Sequence, residues 1–293
     1  MTFLSYLISG LSLGSIYAII ALGYTMVYGI AKMLNFAHGD VIMIGGYMSY
    51  VATSELGWPP LLSVLLAMTV CTILGVLIEQ FAYKPLRAAP SLAVLITAIG
   101  VSYFLQNAAL LIWSSNPKSF TSVVQFDSLK LFDGQLTISS VAIVTVTACI
   151  IIMIGLSWII GKTRVGKAMR AVSEDKEAAQ LMGIGVNQTI SITFAIGSAL
   201  AAIAGVLLCS AYPLLMPTTG SMPGIKAFTA AVFGGIGSIP GAFLGGILLG
   251  IIEIFGKAYI STQLSDAIVF TVLIIVLLVK PTGLMGKKIN EKV

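Results

Sequence analysis

Charged side chains are scarce in this sequence, which excludes a soluble globular protein. Asp, Glu, Lys and Arg make up 9% of the 293 residues, and apolar residues make up 58%. A soluble domain usually carries about 25% charged residues, and the mean hydropathy here is +1.03. The long uncharged runs lack the alternation of barrel strands, and about 20 apolar residues span the hydrocarbon core as a helix. We predict an all-α polytopic membrane protein, a bundle of about 8–9 transmembrane helices with broken or re-entrant segments.

Residues suited to catalysis, metal binding or disulfide bonding are also few. The chain has one histidine and three cysteines, and Cys71, Cys149 and Cys209 stand singly within apolar runs, as small buried side chains do. The sequence contains no paired-carboxylate motif, metal-ligand cluster or nucleophile elbow. Basic residues lie at the ends of apolar runs, not on one face, which argues against nucleic acid as a partner. We predict a protein that is not an enzyme, with no catalytic residue, metal site or bound cofactor.

Apolar runs divide the chain into candidate spans, and no connection between them is long enough to hold a soluble core. The first run has no basic residue before Lys32 and no small-residue cleavage site, so it predicts a retained span and not a secretory signal. We therefore predict one integral membrane domain over 1–293. The predicted spans are 5–30, 37–54, 61–78, 91–113, 136–160, 189–212, 227–255 and 262–280.

Basic residues in short loops predict the orientation, because such loops stay in the cytoplasm. Lys84 and Arg87 place 79–90 there, and five basic residues place 161–188 there. The basic C-terminal tail, with Lys280, Lys287, Lys288 and Lys292, would lie outside if the last two runs each crossed once. We therefore expect 227–255, which Gly234–Gly241 interrupts, to form two shorter helical pieces. Because residues 1–31 carry no charged side chain, the sequence does not predict on which side of the membrane the N-terminus lies.

Small residues recur every four positions in three runs. Such stripes let helix backbones approach closely, either within one subunit, which we favour, or across a homodimer seam. The stripes are Gly10, Gly14 and Ala18; Gly197, Ala201 and Gly205; and the pairs Gly241/Gly245 and Gly246/Gly250.

The cytoplasmic loop 161–188 carries two helical patterns. Val165, Ala168, Met169 and Val172 recur at the spacing of an amphipathic helix. Ser173 is predicted to cap a second short helix that ends at a left-handed Gly183. We interpret the pair as a docking element for another protein, the alternative being a loop that only fixes topology. The residues predicted to form it are Glu174, Asp175, Glu177, Ala178, Ala179, Leu181, Met182 and Gly183.

A polar segment, Asn35-Phe36-Ala37-His38-Gly39-Asp40, opens the second run and holds the only histidine. It is either an interfacial turn with a solvated Asp40 or a broken helix whose polar groups line a solute path; a proton relay is a weaker third interpretation. Glu253 and Asp266, also within apolar runs, are expected to satisfy neighbouring helices or to lie near an interface. The candidates for the path are Asn35, Phe36, His38, Gly39, Asp40, Gln106 and Asn107.

Four motifs resemble the Liv-type permeases of ATP-binding-cassette importers for branched-chain amino acids, and together they cover nearly the whole chain. The first and most specific runs from Gly23-Tyr24-Thr25-Met26-Val27-Tyr28-Gly29-Ile30 to Asn35–Asp40. The others are Glu174–Gly185, Gly234–Ala242 and Lys280–Gly286.

The resemblance implies a subunit of a larger assembly in the plasma (inner) membrane. Its partners would be a second related permease in a heterodimer, two cytoplasmic ATPases that use ATP, and an extracytoplasmic binding protein that delivers leucine, isoleucine or valine. It implies that Glu177-Ala178-Ala179 with Gly183 docks on the ATPase. Two alternatives stay open: a permease for urea or short amides, and a secondary transporter or channel that works without ATP.

Overall fold

The computed structural model describes residues 2–87, 89–131 and 136–286, and these are largely helical. Short antiparallel strand pairs join β1 (Lys118–Ser119) to β4 (Leu214–Leu215) and β2 (Leu129–Leu131) to β3 (Leu136–Ile138). The helices are, in chain order, α1 (Thr2–Ala31), α2 (His38–Tyr50), α3 (Pro60–Ile78), α4 (Ser91–Trp113), α5 (Ser140–Lys162), α6 (Arg164–Glu174), α7 (Lys176–Leu181), α8 (Val186–Ala211), α9 (Ser221–Gly234), α10 (Ile239–Tyr259) and α11 (Ser265–Val279).

Six of these helices are long and apolar enough to cross a membrane, namely α1, α3 with the turns that continue it, α4, α5, α8 and α10. The apolar helices α2, α9 and α11 are shorter, at 13, 14 and 15 residues. The predicted class, an all-α polytopic membrane protein, is confirmed. Where about 8–9 transmembrane helices were predicted, the described residues form six long apolar helices and three shorter ones. Of the predicted boundaries, 91–113 matches α4.

One end of the bundle gathers the basic loops of the described residues. Lys176 Nζ donates to the carbonyl of Ala31 at 3.1 Å, and Arg87 donates to the side chain of Asn187. The positive-inside rule places this end in the cytoplasm, so α1 runs from outside to inside. Of the tail residues used to predict orientation, Lys287, Lys288 and Lys292 lie outside the described residues.

The run 227–255 forms two helices, as predicted. Gly235 and Gly237 between them have φ of +107° and +91°, a conformation that glycine adopts without a Cβ clash. The Ser238 side chain caps α10 by accepting from the backbone N–H of Gly241 at 3.2 Å. Because α9 starts at depth beside Gly39 and ends at the cytoplasmic end, α10 and α11 make the last two crossings and the chain returns to the cytoplasm.

The small-residue stripes pack helices within the subunit, so the favoured interpretation is confirmed. A Cβ on Gly14 would lie 2.6 Å from the carbonyl oxygen of Ile247, and one on Gly10 would lie 2.9 Å from the Cα of Ile251. Gly246 lies against Ala18 in the same contact. The backbones of α1 and α10 therefore touch, which maximises van der Waals contact where lipid offers no hydrophobic driving force.

Candidate functional site: a re-entrant segment and a cytoplasmic helix pair

The polar segment breaks a helix inside the bundle. After α1 ends at Ala31, the chain turns back and α2 begins at His38, whose ring lies 4.6 Å from that of Tyr24. Tyr24 stands seven residues before the end of α1, so His38 lies about 10 Å inside the bundle at 1.5 Å per residue. Asp40 is 2% exposed. The structure therefore shows a broken helix, and the solvated interfacial turn is wrong.

Specific contacts hold this segment in place. The Asn35 Oδ1 accepts a hydrogen bond of 2.9 Å from the hydroxyl of Tyr83, and Phe36 packs on Phe228 with ring centroids 5.4 Å apart. The backbone of Gly39 meets that of Gly220 at the start of α9. Two interrupted helices, α2 and α9, thus begin side by side at depth.

Asp40 joins a polar cluster between three helices. Gln106 Nε2 on α4 donates to Asp40 Oδ1 at 2.9 Å and lies 3.3 Å from the hydroxyls of both Ser102 and Ser221. Asp40 also stands in the first turn of α2, where the helix dipole favours a negative charge. Asn107 does not join this cluster, because it is exposed and donates to the carbonyl of Tyr103 at 2.7 Å.

His38 is also buried, and its Nε2 has no hydrogen-bond partner within the described residues. That nitrogen faces the backbone of Gly23, where a Cβ would lie 2.5 Å away. A buried polar atom without a partner costs free energy in a folded protein. The cluster therefore offers a carboxylate and an amide, whereas the imidazole of His38 lies against α1.

Replacing Gly220 by alanine tests the meeting of α2 and α9. The added Cβ would collide with the carbonyl oxygen of Gly39, which is backbone and cannot rotate away. We expect the free energy of unfolding to fall by about 1–3 kcal/mol, measured by thermal unfolding of the purified protein in detergent. The matched control is Gly155→Ala in α5, where the Cβ meets nothing within 4 Å and alanine is expected to add up to about 1 kcal/mol. Equal stability of the two variants would contradict the contact.

The cytoplasmic loop forms the two predicted short helices, with one correction to their caps. Asp175, not Ser173, caps α7, and its Oδ1 accepts from the N–H groups of Glu177 and Ala178, both at 2.9 Å. The helix α6 continues through Glu174, and Ser173 donates to the carbonyl of Arg170 within it. The reason is geometric: Asp175 is the residue that follows α6, and its backbone is extended, at φ −154° and ψ 115°.

The second helix presents large apolar side chains to solvent. Leu181 is 89% and Met182 is 82% exposed, whereas Ala179 is buried. Gly183 ends the helix at φ +82°, as predicted, and its N–H donates to the carbonyl of Gln180 at 3.0 Å. In α6, Met169 and Val172 are buried as expected, but Val165 is exposed. The pair thus exposes an apolar surface at the cytoplasmic end.

An ion-pair network lies inside the helix bundle, and the sequence predicted only part of it. Lys226 on α9 lies 2.8 Å from Glu253 on α10 and 2.6 Å from Asp266 at the start of α11. Glu253 also accepts from Lys257 at 2.6 Å and from the hydroxyl of Tyr17 at 2.8 Å. Glu253 and Asp266 therefore satisfy neighbouring helices, as expected. Lys226 was missed because the predicted run began at 227, although a cation within apolar sequence signals a buried partner.

Together, broken helices that meet at depth, polar side chains gathered there and an exposed cytoplasmic helix pair define a multi-pass membrane permease of the transporter class. Comparison with known protein families identifies the particular family within that class. The chain belongs to the family described as "Branched-chain amino acid transport system / permease component", whose family model matches residues 6–277.

Curated relatives match over nearly the full chain. The "High-affinity branched-chain amino acid transport system permease protein BraD" of Pseudomonas aeruginosa is 46% identical, with 99% of this chain and 98% of the relative covered. The corresponding protein LivH of Escherichia coli K12 is 45% identical over the same shares of the two chains. A "Probable branched-chain amino acid transport permease protein LivH" of Methanocaldococcus jannaschii is 30% identical, covering 92% of this chain and 88% of the relative. The predicted resemblance to the Liv-type permeases is thereby confirmed.

Proposed function

We propose that this chain is the membrane-spanning permease subunit of an ATP-driven importer that moves branched-chain amino acids across the plasma membrane. The substrate class comes from relatives that are named for it and align over nearly the whole chain. One structural observation supports the energy source: Leu181 and Met182, at the end of the capped helix α7, are almost fully exposed at the cytoplasmic end. A protein working alone would normally bury such side chains.

The proposed partners are those that the resemblance to the family implies, and the subunit leaves exposed surfaces that suit two of them. Two cytoplasmic ATPases would hydrolyse ATP, one of them covering α7, and an extracytoplasmic binding protein would deliver the solute. This chain would bind no cofactor. A second related permease would cover α4, which packs little within the subunit and exposes large side chains such as Tyr103, Phe104 and Leu111. Lipid would cover what remains of the apolar surface.

The solute path would run along the re-entrant segment. Its proposed lining is Asn35, Phe36, His38, Gly39 and Asp40, with Gln106 reaching in from α4. Asn107 is left out of the proposed lining, because its side chain is exposed and donates to the carbonyl of Tyr103 on its own helix. Few polar contacts are required, because a branched aliphatic side chain gains mainly from apolar contact, at about 25 cal/mol per Å².

Uptake by the assembled complex tests the proposal. The chain, expressed with its candidate partners, is expected to co-purify with an ATPase and, in proteoliposomes, to take up leucine, isoleucine or valine only when ATP is present. Uptake of urea in preference to leucine would instead favour the permease for short amides. Uptake without ATP would favour the secondary transporter or channel.

Neighbouring residues on α4 provide a matched test of the path. Gln106→Leu removes the donor to the buried Asp40 carboxylate, whereas Asn107→Leu changes an exposed side chain. A hydrogen bond to a charged group is worth about 1.5–3 kcal/mol, so we expect Gln106→Leu to slow leucine uptake by on the order of tenfold or more. Asn107→Leu is expected to stay within about twofold, well under 1 kcal/mol. Equal effects, measured at equal complex levels, would remove Gln106 from the path.

A further inference from the structure

A cavity of about 260 Å³ opens at the cytoplasmic end, between α1, α4 and the start of α7. Three of its lining side chains are cationic, namely Lys32, Arg87 and Lys176. They come from three separate parts of the chain, so the fold gathers them and the local sequence does not. Lys32 has φ of +57°, a conformation uncommon outside glycine, which turns the chain at the end of α1.

The positive charge of this cavity is only partly neutralised. Arg87 donates to the buried carboxylate of Glu79 and to Asn187. Lys176 donates to the carbonyl of Ala31, a neutral acceptor, at 3.1 Å. Burial, together with the charges of Arg87 and Lys32, lowers the pKa of Lys176 from its usual value. An anion placed between the cations would offset the repulsion among them and would favour the charged form of Lys176.

We propose that this cavity binds the phosphate group of an anionic phospholipid of the cytoplasmic leaflet. Lys32 and Lys176 hold the phosphate, with Arg87 adding its charge. The bound headgroup joins the end of α1 to the first residue of α7.

Two features favour a lipid over a free anion. The cavity lies at the cytoplasmic end of membrane-spanning helices, the level at which anionic headgroups collect around basic residues. Apolar side chains share its wall with the cations, including Met33, Leu34, Leu86 and Val94. A charged headgroup with a hydrocarbon tail matches such a wall, whereas inorganic phosphate would leave it without a partner.

The test compares lipid retention by wild type and a double variant, Lys32→Gln with Lys176→Gln. The purified full chain, in mild detergent with equal phosphatidylglycerol and phosphatidylethanolamine, is analysed for retained lipid by native mass spectrometry. We expect wild type to retain phosphatidylglycerol preferentially. Each basic residue near an anionic membrane surface strengthens binding about fivefold, so the double variant should lose this preference by on the order of thirtyfold. Lys84→Gln, an exposed lysine outside the cavity lining, is the control and should change nothing.

Competition with inorganic phosphate distinguishes a lipid headgroup from free phosphate as the anion that the cavity binds. We expect millimolar phosphate to leave phosphatidylglycerol retention unchanged. Displacement of the lipid by phosphate at that concentration would overturn the lipid assignment in favour of a free oxyanion. Equal retention by wild type and the double variant would overturn the site itself. Lys32→Arg with Lys176→Arg keeps both charges and should retain the lipid, which separates loss of binding from loss of folding.

Discussion

Replacing Glu253 by glutamine is expected to cause a large loss of stability, about 3 kcal/mol or more. Glu253 is 1% exposed and accepts from Lys226, Lys257 and Tyr17. The substitution keeps the shape but removes the central negative charge, so the buried Lys226 is left beside Lys257 with only the half-exposed Asp266 as counter-ion. Breaking a buried pair from one side typically costs about 3–5 kcal/mol, because the remaining charge is uncompensated. Thermal unfolding of the purified protein measures the loss.

Two further variants separate charge from packing at this network. Lys257→Gln removes a partner whose side chain is 34% exposed, and we expect it to cost less than about 1 kcal/mol, as exposed pairs do. The double variant Lys226→Met with Glu253→Gln removes both charges of the buried pair. It should lose less than the sum of the two single variants, because neither charge is then stranded. Strict additivity would mean that the pair does not couple α9 to α10.

The sequence predicted what depends on local pattern. Apolar runs gave the helices, and Gly234–Gly241 marked the break between α9 and α10 because glycines at positive φ mark a turn. The amphipathic period and the glycine at 183 gave the cytoplasmic helix pair. The cap was misplaced by two residues, because Ser173 and Asp175 both suit a cap and only the length of α6 decides between them.

Contacts between residues that are far apart in the sequence could not be predicted from these local patterns. Asp40 and Gln106 were both candidates, yet nothing local shows that they meet while the adjacent Asn107 faces outward. Helix rotation decides this, and rotation depends on packing against neighbours. Lys226 likewise lay one residue outside a predicted run. Its partner Glu253 lies 27 residues away, on a helix that reverses direction after the break.

Loss of the apolar surface on α7 is expected to abolish coupling in the assembled importer. Leu181→Asp with Met182→Asp places two charges where we propose that the ATPase docks. Burying a large apolar side chain contributes about 1.5–3 kcal/mol, so we expect binding of the ATPase to weaken by on the order of a hundredfold or more. Both side chains are almost fully exposed in the subunit, so its own thermal stability should not change. Co-purification and leucine-stimulated ATP hydrolysis are the measurements.

Gly183 supplies the matched test of helix direction. A Cβ there meets nothing within 4 Å, so only its φ of +82° opposes a side chain. Gly183→Asn should be tolerated, because asparagine enters the left-handed region readily, whereas the β-branched side chain of Gly183→Val costs about 1–3 kcal/mol there. Valine would relieve this strain by turning the end of α7 aside, and we expect coupled hydrolysis to fall several-fold while the subunit still inserts. If valine and both aspartates left stimulated hydrolysis and assembly unchanged, α7 would not transmit the ATPase motion.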